Sequence, residues 1–167
     1  ITVIAPDNIN AGVDKVFCLN DSPFDLNSDA IPSAGGNWNG PGVTGSIFDP
    51  AVAGVGTHLI NMSTGFGNCA VMDSRTFVVK PLPIVVAGAD EEACVSESSI
   101  VLSPSPNGGI WIPGNAVLMG NNFQPDSSGT GSFMLTWSFT DSIGCNNTDS
   151  LLITVNPLPT PVSHDTV

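Results

Sequence analysis

Four cysteines are the residues of this 167-residue chain whose type and spacing most clearly point to chemistry. They form two pairs with the same separation, because Cys18 and Cys69 lie 51 positions apart and so do Cys94 and Cys145. Neither pair has the CxxC spacing of a zinc site, and no histidine accompanies them in a ligand pattern. The spacing therefore predicts two disulfides, Cys18–Cys69 and Cys94–Cys145, each of which would stabilise the fold by about 4 kcal/mol. The alternative is four buried, reduced thiols.

The compartment and the partners follow from the disulfides and the charge. Disulfides persist in oxidising surroundings, so the prediction is an extracellular, secreted or cell-surface protein. Three basic residues against fifteen acidic ones give a formal net charge of −12. Nucleic-acid binding needs basic patches, so we predict no nucleic-acid partner. No apolar run is long enough to cross a bilayer, so we also predict no membrane insertion.

Catalytic side chains are scarce. The chain has two histidines, His58 in a strand-like stretch and His164 near its end. A hydrolytic triad requires a nucleophile, a base and an orienting group held together, and one core-facing histidine does not supply this set. The carboxylates lie in loops without an aromatic cleft, which also disfavours glycoside hydrolysis. The sequence therefore predicts a protein that is not an enzyme.

Calcium is the one cofactor that the residues suggest. Calcium takes six to eight oxygen ligands, and acidic residues of adjacent extracellular domains can supply them. Acidic residues recur here at the same positions of the two halves of the chain. In the second half, two further carboxylates come directly after Asp90. The candidate ligands are Asp14, Asp73, Asp90, Glu91, Glu92 and Asp149, and Asp21 and Glu97 recur in the same way. The alternative is a solvated acidic face, because no EF-hand-like motif is present.

Strands must position these residues, since helical periodicity is absent. The clearest strand is 132–140, where Phe133, Leu135 and Trp137 alternate with polar residues. Its weaker counterpart is 57–64. Further strands are expected at 98–102, 109–112 and 150–155, separated by Gly, Pro, Asn and Asp clusters.

The chain repeats itself with a period of 76 residues. Cys18 recurs as Cys94, and Pro81-Leu82-Pro83 recurs as Pro157-Leu158-Pro159. Such a period indicates an array of small domains, and the proline connectors cannot continue a strand ladder. The expected organisation is a closing strand of a preceding repeat or a strand-addition segment at 1–5, repeats at 6–82 and 83–159, and the start of a following repeat or a tail at 160–167.

Each repeat has the same succession of motifs. Trp38 and Trp111 follow the first cysteine of their repeats, and a Phe-x-Pro motif, a Gly-x-Gly motif, a long strand and the second cysteine come after them. About seven short strands around a core tryptophan, with two cysteines, predict an all-β fold of two tandem immunoglobulin-like sandwiches. One departure from antibody domains is that the second cysteine lies in the turn after the long strand.

These motifs are similar to a known family. Gly-Gly-Asn-Trp at 35–38, Phe-Asp-Pro at 48–50, Gly-Asn-Cys at 67–69 and Val-Lys-Pro-Leu-Pro at 79–83 resemble the PKD-like and Ig-like repeats of large Bacteroidetes surface proteins. The second repeat departs from the pattern at Trp111-Ile-Pro-Gly-Asn. The resemblance implies cell-surface adhesins of gliding motility or other cargo of type IX secretion. It also implies Asp-Ser/Thr-apolar glycosylation sites, which here would modify Ser142, Ser150 and Thr166.

The function predicted from these observations is a stiff, disulfide-stapled adhesion or spacer module of a repetitive surface adhesin or extracellular filament. Its partners would be neighbouring repeats or like subunits. One alternative is a carbohydrate-binding region of a secreted enzyme, in which Trp38 or Trp111 would contact a surface polysaccharide. Another is a filament subunit whose Ile1-Thr2-Val3 strand completes the sheet of a neighbouring subunit.

Overall fold

The computed structural model describes residues 8–32, 36–65 and 70–160. The chain divides into two compact units, Ile1–Leu82 and Pro83–Val167. The division falls inside the Pro81-Leu82-Pro83 connector, where two of the three residues lack the backbone N–H that a strand ladder needs. The predicted segments at 1–5 and beyond 160 lie outside the described residues.

The described residues of the first unit form seven strands, one short α-helix and a 3-10 turn at Leu26–Ser28. Strands β6 and β7 form a long antiparallel pair, flanked by β1 and β3 in the order β1-β7-β6-β3. A second, three-stranded sheet has the order β2-β5-β4. The elements are β1 (Lys15–Cys18), β2 (Phe24–Asp25), β3 (Asn37–Asn39), β4 (Val43–Thr44), β5 (Ile47–Phe48), α1 (Pro50–Ala53), β6 (Gly56–Thr64) and β7 (Val71–Lys80).

The core of the first unit lies between these sheets. Alternation along β6 and β7 places Ile60, Met62, Phe77 and Val79 inside, where each is almost fully buried. Phe48 enters from the smaller sheet, and its ring centroid lies 4.8 Å from that of Phe77. The aromatic contact fixes how the two sheets face each other in this unit.

The second unit repeats this architecture. The long antiparallel pair β13 and β14 is flanked by β8 and β10 in the order β10-β13-β14-β8, and the smaller sheet has the order β11-β12-β9. The elements are β8 (Glu91–Cys94), β9 (Ile100–Val101), β10 (Ile110–Ile112), β11 (Leu118–Met119), β12 (Asn122–Phe123), α2 (Pro125–Ser128), β13 (Gly131–Thr140) and β14 (Asn146–Asn156). Its core contains Phe123, Phe133, Leu135, Trp137 and Ile153.

The recurrent Phe-x-Pro and Gly-x-Gly motifs build one helical turn in each unit. Pro50 begins α1, and the Asp49 side chain accepts a hydrogen bond from the Ala51 N–H at 2.9 Å, as an N-cap does. Gly54 ends the turn with a φ of 78°, a conformation that favours glycine. Pro125 and Gly129 take the same places around α2.

The first strand of each unit pairs in parallel with the last one. Lys15–Cys18 lies beside residues 77–80 of β7, and Glu91–Cys94 lies beside residues 153–156 of β14. Both units are therefore two-sheet sandwiches with a parallel edge strand, and the predicted all-β fold of two tandem immunoglobulin-like domains is confirmed. Within the described part of the chain, no helix is long and apolar enough to cross a membrane.

Candidate functional site

The two cysteines of the second unit do not pair as the spacing predicts. Cys94 is an exposed free thiol, whereas Cys145 is disulfide-bonded, so the expected Cys94–Cys145 disulfide is wrong. The register of β14 gives the reason. Cys94 is paired with Asn156 at the end of this strand, and Cys145 immediately precedes Asn146 at its start. Ten residues of strand separate the two positions by about 33 Å, whereas a disulfide needs Cα atoms within about 7 Å.

The equivalent pair of the first unit, Cys18 and Cys69, is described at only one of its two residues. Cys18 is disulfide-bonded and is paired with Lys80 at the end of β7. Cys69 lies outside the described residues, so the pairing of Cys18 with Cys69 stays a prediction.

Recurrent carboxylates hold the turn that follows each of these first strands. The Asp21 carboxylate accepts a hydrogen bond from the backbone N–H of Cys18 at 2.8 Å. The Glu97 carboxylate does the same for Cys94, also at 2.8 Å. The recurrence of an acidic residue three positions after each cysteine therefore reflects one local structure built twice.

A second recurrent carboxylate attaches the segment before the first strand. Asp73 on β7 accepts a hydrogen bond from the Ala11 N–H at 2.7 Å, and Asp149 on β14 accepts one from the Ala87 N–H at 2.8 Å. The hydrogen bonds from the Ala11 and Ser74 backbone lower the pKa of the Asp73 carboxyl below its ordinary value. Both aspartates therefore serve as structural acceptors for backbone donors that would otherwise lack a partner.

A third recurrent carboxylate extends the ladder at the start of the edge strand. The Asp14 carboxylate accepts from the Thr76 N–H at 2.7 Å, and the Asp90 carboxylate accepts from the Leu152 N–H at 2.8 Å. Each carboxylate continues the pairing of the edge strand by one residue.

The same contacts bear on the calcium hypothesis. Four candidate ligands, Asp14, Asp73, Asp90 and Asp149, already accept backbone hydrogen bonds. Glu91 and Glu92 are exposed on β8. Across residues 8–32, 36–65 and 70–160, no group of three His, Cys, Asp or Glu side chains could hold a metal ion. The donor set does not fit a calcium site of six to eight oxygens.

Trp38 and Trp111 occupy matching places on the inner faces of their units. Each is partly buried and packs against a core cluster. The Trp38 indole N–H donates to the Asn27 side chain at 2.8 Å, and the Trp111 indole N–H donates to the Asn121 side chain at 3.1 Å. With their polar atoms satisfied, both rings act as packing groups on the inward side of an edge strand.

An ion pair that the sequence analysis did not anticipate lies beneath Trp38. The Arg75 side chain on β7 is buried, and its guanidinium forms a salt bridge with Asp29. Lys15 approaches the second carboxylate oxygen of Asp29 at 3.1 Å. Burial raises the pKa of the Asp29 carboxyl, but the hydrogen bonds and the positive charges of Arg75 and Lys15 together outweigh it and lower the pKa below its ordinary value.

Aromatic rings surround the Arg75 guanidinium. Its central carbon lies 4.6 Å from the Phe77 ring centroid and 5.1 Å from that of Trp38. One guanidinium nitrogen also donates to the Leu26 carbonyl oxygen at 3.2 Å. The sequence signal was available, because Arg75 alternates with Phe77 and Val79 along an inward-facing row. In the second unit the position 76 residues later is Leu151, so the ion pair is not repeated there.

An open groove of about 350 Å³ lies beside the paired tryptophans of the second unit. Trp111 and Trp137 face each other across β10 and β13, with ring centroids 5.1 Å apart. The groove is also lined by Ile110, Pro113, Leu118 and Asn121. Its volume is within the range of small-molecule sites, and its surface combines aromatic carbon with one amide side chain.

The remaining predicted residues are scattered. His58 is partly buried on β6, and its ring nitrogen lies 2.8 Å from the Gly54 carbonyl oxygen. Ser142 is exposed in the turn after β13. Ser150 is exposed on β14, with its hydroxyl 2.8 Å from that of Thr136. His164 and Thr166 lie outside the described residues. The structure brings none of the described residues of this set together.

Comparisons with known proteins give structural neighbours only. No protein-family model matches the chain, and no curated protein matches it. The insect immune protein hemolin, described with implications for homophilic adhesion, has a TM-score of 0.35 and 14% identity over 91% of this chain and 46% of its own. The chain therefore spans about half the length of the hemolin structure.

Two further structures cover almost the whole chain. The Ig1-2 module of the Drosophila receptor tyrosine phosphatase DLAR has a TM-score of 0.35 and 13% identity over 91% of this chain and 100% of its own. The EC1-2 fragment of human protocadherin-24 has a TM-score of 0.32 and 10% identity over 94% of this chain and 100% of its own. At these scores the similarities carry no argument about function.

Proposed function

We propose that this chain is a non-catalytic structural and adhesion module, acting as a spacer in an array of like repeats outside the cell. The observation that carries the proposal is what the two units have in common. Asp73 and Asp149, Asp14 and Asp90, and Asp21 and Glu97 make the same backbone hydrogen bonds in both units. The polar residues that recur are therefore those that build the sandwich, as expected for a scaffold.

The extracellular location is supported by the cysteines and the charge. Cys18 and Cys145 are disulfide-bonded, and such bonds persist in oxidising compartments. The net charge of −12 favours solubility and opposes adsorption to anionic surfaces. The resemblance to Bacteroidetes surface repeats narrows the proposal to an adhesin of gliding motility or another substrate of type IX secretion. Ser142 and Ser150 are exposed and are proposed glycosylation sites.

Adhesion between like repeats is tested by coating fluorescent beads with the folded chain. We expect these beads to bind one another and a chain-coated surface, and soluble chain to compete. Beads coated with the reduced and alkylated chain, and beads coated with an acidic protein of another fold, are the controls. Equal binding by all three kinds of bead, or no binding by any of them, would contradict a homophilic adhesion role.

A second candidate function is carbohydrate binding in the groove beside Trp111. The groove favours it because a pyranose ring can stack on an indole while the Asn121 side chain offers polar atoms. We expect polysaccharide to change the tryptophan fluorescence of the chain and of a Trp38→Phe variant, but not that of a Trp111→Phe variant. Identical responses from both variants would reject the groove as the binding site.

The third proposal, polymerisation by strand addition, concerns residues outside the described part of the chain. Deletion of 1–5 should then abolish polymers that the full chain forms. Polymers that persist after the deletion would exclude this mode of assembly.

A further inference from the structure

Cys94 lies at the same structural position as a cysteine that is bonded in this structure. Cys18 ends β1 beside Lys80, and Cys94 ends β8 beside Asn156. The backbone N–H of each donates to an acidic side chain three residues later, at 2.8 Å in both units. The two positions therefore share their strand pairing and their turn.

The two cysteines differ in their bonding. Cys18 is disulfide-bonded, whereas Cys94 is a free thiol. Cys145, the other cysteine of the second unit, is disulfide-bonded and lies about 33 Å of strand away from Cys94. The position that forms a disulfide in the first unit therefore carries a free thiol in the second unit. The other cysteine of the second unit is too far away to be its partner.

Access to this thiol is unobstructed within its unit. β8 is the edge strand of the sheet β10-β13-β14-β8, and Cys94 is its last residue. Cys94 is exposed, as are Glu92 on the same face of β8 and the neighbouring Asn156. Another folded domain can therefore approach the sulfur along the sheet edge without displacing the core.

We propose that Cys94 forms an intermolecular disulfide with a cysteine of a second copy of this chain, and so links Ig-like units covalently. A protein thiol is the expected partner because a protein thiol is what Cys18 binds at the equivalent position. The inference deepens the proposed function, since it treats the chain as one of several like copies.

The chemistry is thiol–disulfide exchange with a small-molecule disulfide, such as oxidised glutathione, as the oxidant. The Cys94 thiolate attacks one sulfur of glutathione disulfide, forming a mixed disulfide and releasing one glutathione thiolate. A thiolate of the second copy then attacks the Cys94 sulfur and releases the second glutathione. In total, two protein thiols are oxidised to one disulfide, and one glutathione disulfide is reduced to two thiols.

The test incubates the full chain in glutathione buffers of graded redox ratio and then alkylates free thiols. We expect non-reducing gels and intact mass to show covalent multiples of the 17.1 kDa chain, and peptide mapping to place Cys94 in the linking bond. A Cys94→Ser variant should give no covalent multiples. It should keep the fold, because the replaced side chain is exposed and of similar size.

A second variant distinguishes a specific contact between two copies from random oxidation of an exposed thiol. Ser132 is an exposed residue at the start of β13, so Ser132→Cys in the Cys94→Ser background offers a thiol of similar access. We expect the Cys94 link to survive at least a tenfold higher ratio of reduced to oxidised glutathione than the Ser132→Cys link. Equal survival, a Cys94 bond within one chain, or glutathione alone on Cys94 would overturn the proposal. None of these results would decide the proposed adhesion function, which the bead experiment tests separately.

Discussion

The buried ion pair of the first unit gives the sharpest prediction about stability. Asp29→Ala removes the counter-ion of Arg75, whose side chain has no solvent exposure, while the Asp29 side chain is 27% exposed. Removing one partner of a buried ion pair costs about 3–5 kcal/mol, and because Asp29 is partly hydrated we expect about 3 kcal/mol. The loss should fall on the first unit alone.

The double variant Asp29→Ala/Arg75→Leu supplies the matched control. Leucine is the residue at the equivalent position of the second unit, where Leu151 is buried in the core. The double variant removes the uncompensated charge, so we expect it to lie within about 1 kcal/mol of the wild-type chain. The prediction is therefore strong non-additivity, in which the second substitution restores stability.

The assay follows the three tryptophan indole signals by NMR during urea unfolding of the full chain. Trp38 reports on the first unit, and Trp111 and Trp137 report on the second unit as an internal reference. With a urea dependence of about 1–1.5 kcal/mol/M, Asp29→Ala should lower the Trp38 midpoint by about 2–3 M and leave the other two unchanged. A shift below 0.5 M, or a double variant no more stable than Asp29→Ala, would refute the reasoning.

Two further predictions concern pH and the core. The Ala11 hydrogen bond lowers the pKa of the Asp73 carboxyl. The stability that this hydrogen bond contributes should therefore be lost as the pH falls from the ordinary pKa of 3.8 through the lowered pKa. Asp73→Asn should flatten this part of the pH profile of the Trp38 urea midpoint. Leu135→Ala should destabilise the second unit by about 2–5 kcal/mol, because Leu135 is fully buried. Met134→Ala, at an exposed neighbouring position, should change the urea midpoint of the second unit little. Equal effects of the two substitutions would contradict the assigned strand faces.

Local patterns made most of the fold predictable. The alternation of Phe133, Leu135 and Trp137 identified the long strand, which the structure places at Gly131–Thr140. The 76-residue period identified two equivalent units because the same motifs follow one another in the same order in each half of the chain. The shortest strands were less well bounded, as 98–102 contains only Ile100–Val101, since two paired residues leave little periodicity to recognise.

The sites were less predictable because they depend on strand register. Equal spacing suggested that Cys94 pairs with Cys145, but a parallel edge strand places Cys94 at the far end of β14. The recurrent acidic residues suggested calcium, but their partners are backbone N–H groups whose positions appear only once the strands are paired. Composition alone counts Arg75 only as one of three basic residues, and its burial follows from the alternation along β7, where it shares the inward-facing row with Phe77 and Val79.

The parallel pairing of first and last strands has a mechanical consequence. In each unit, a force that draws the two ends of the chain apart pulls β1 against β7, or β8 against β14, along their common axis. The four paired residues of each edge strand are then loaded in shear, so their hydrogen bonds share the load and must break together instead of opening one after another. The carboxylates of Asp14 and Asp90 add one further bond to each of these clamps. A tether built from such units would yield in discrete steps under tension.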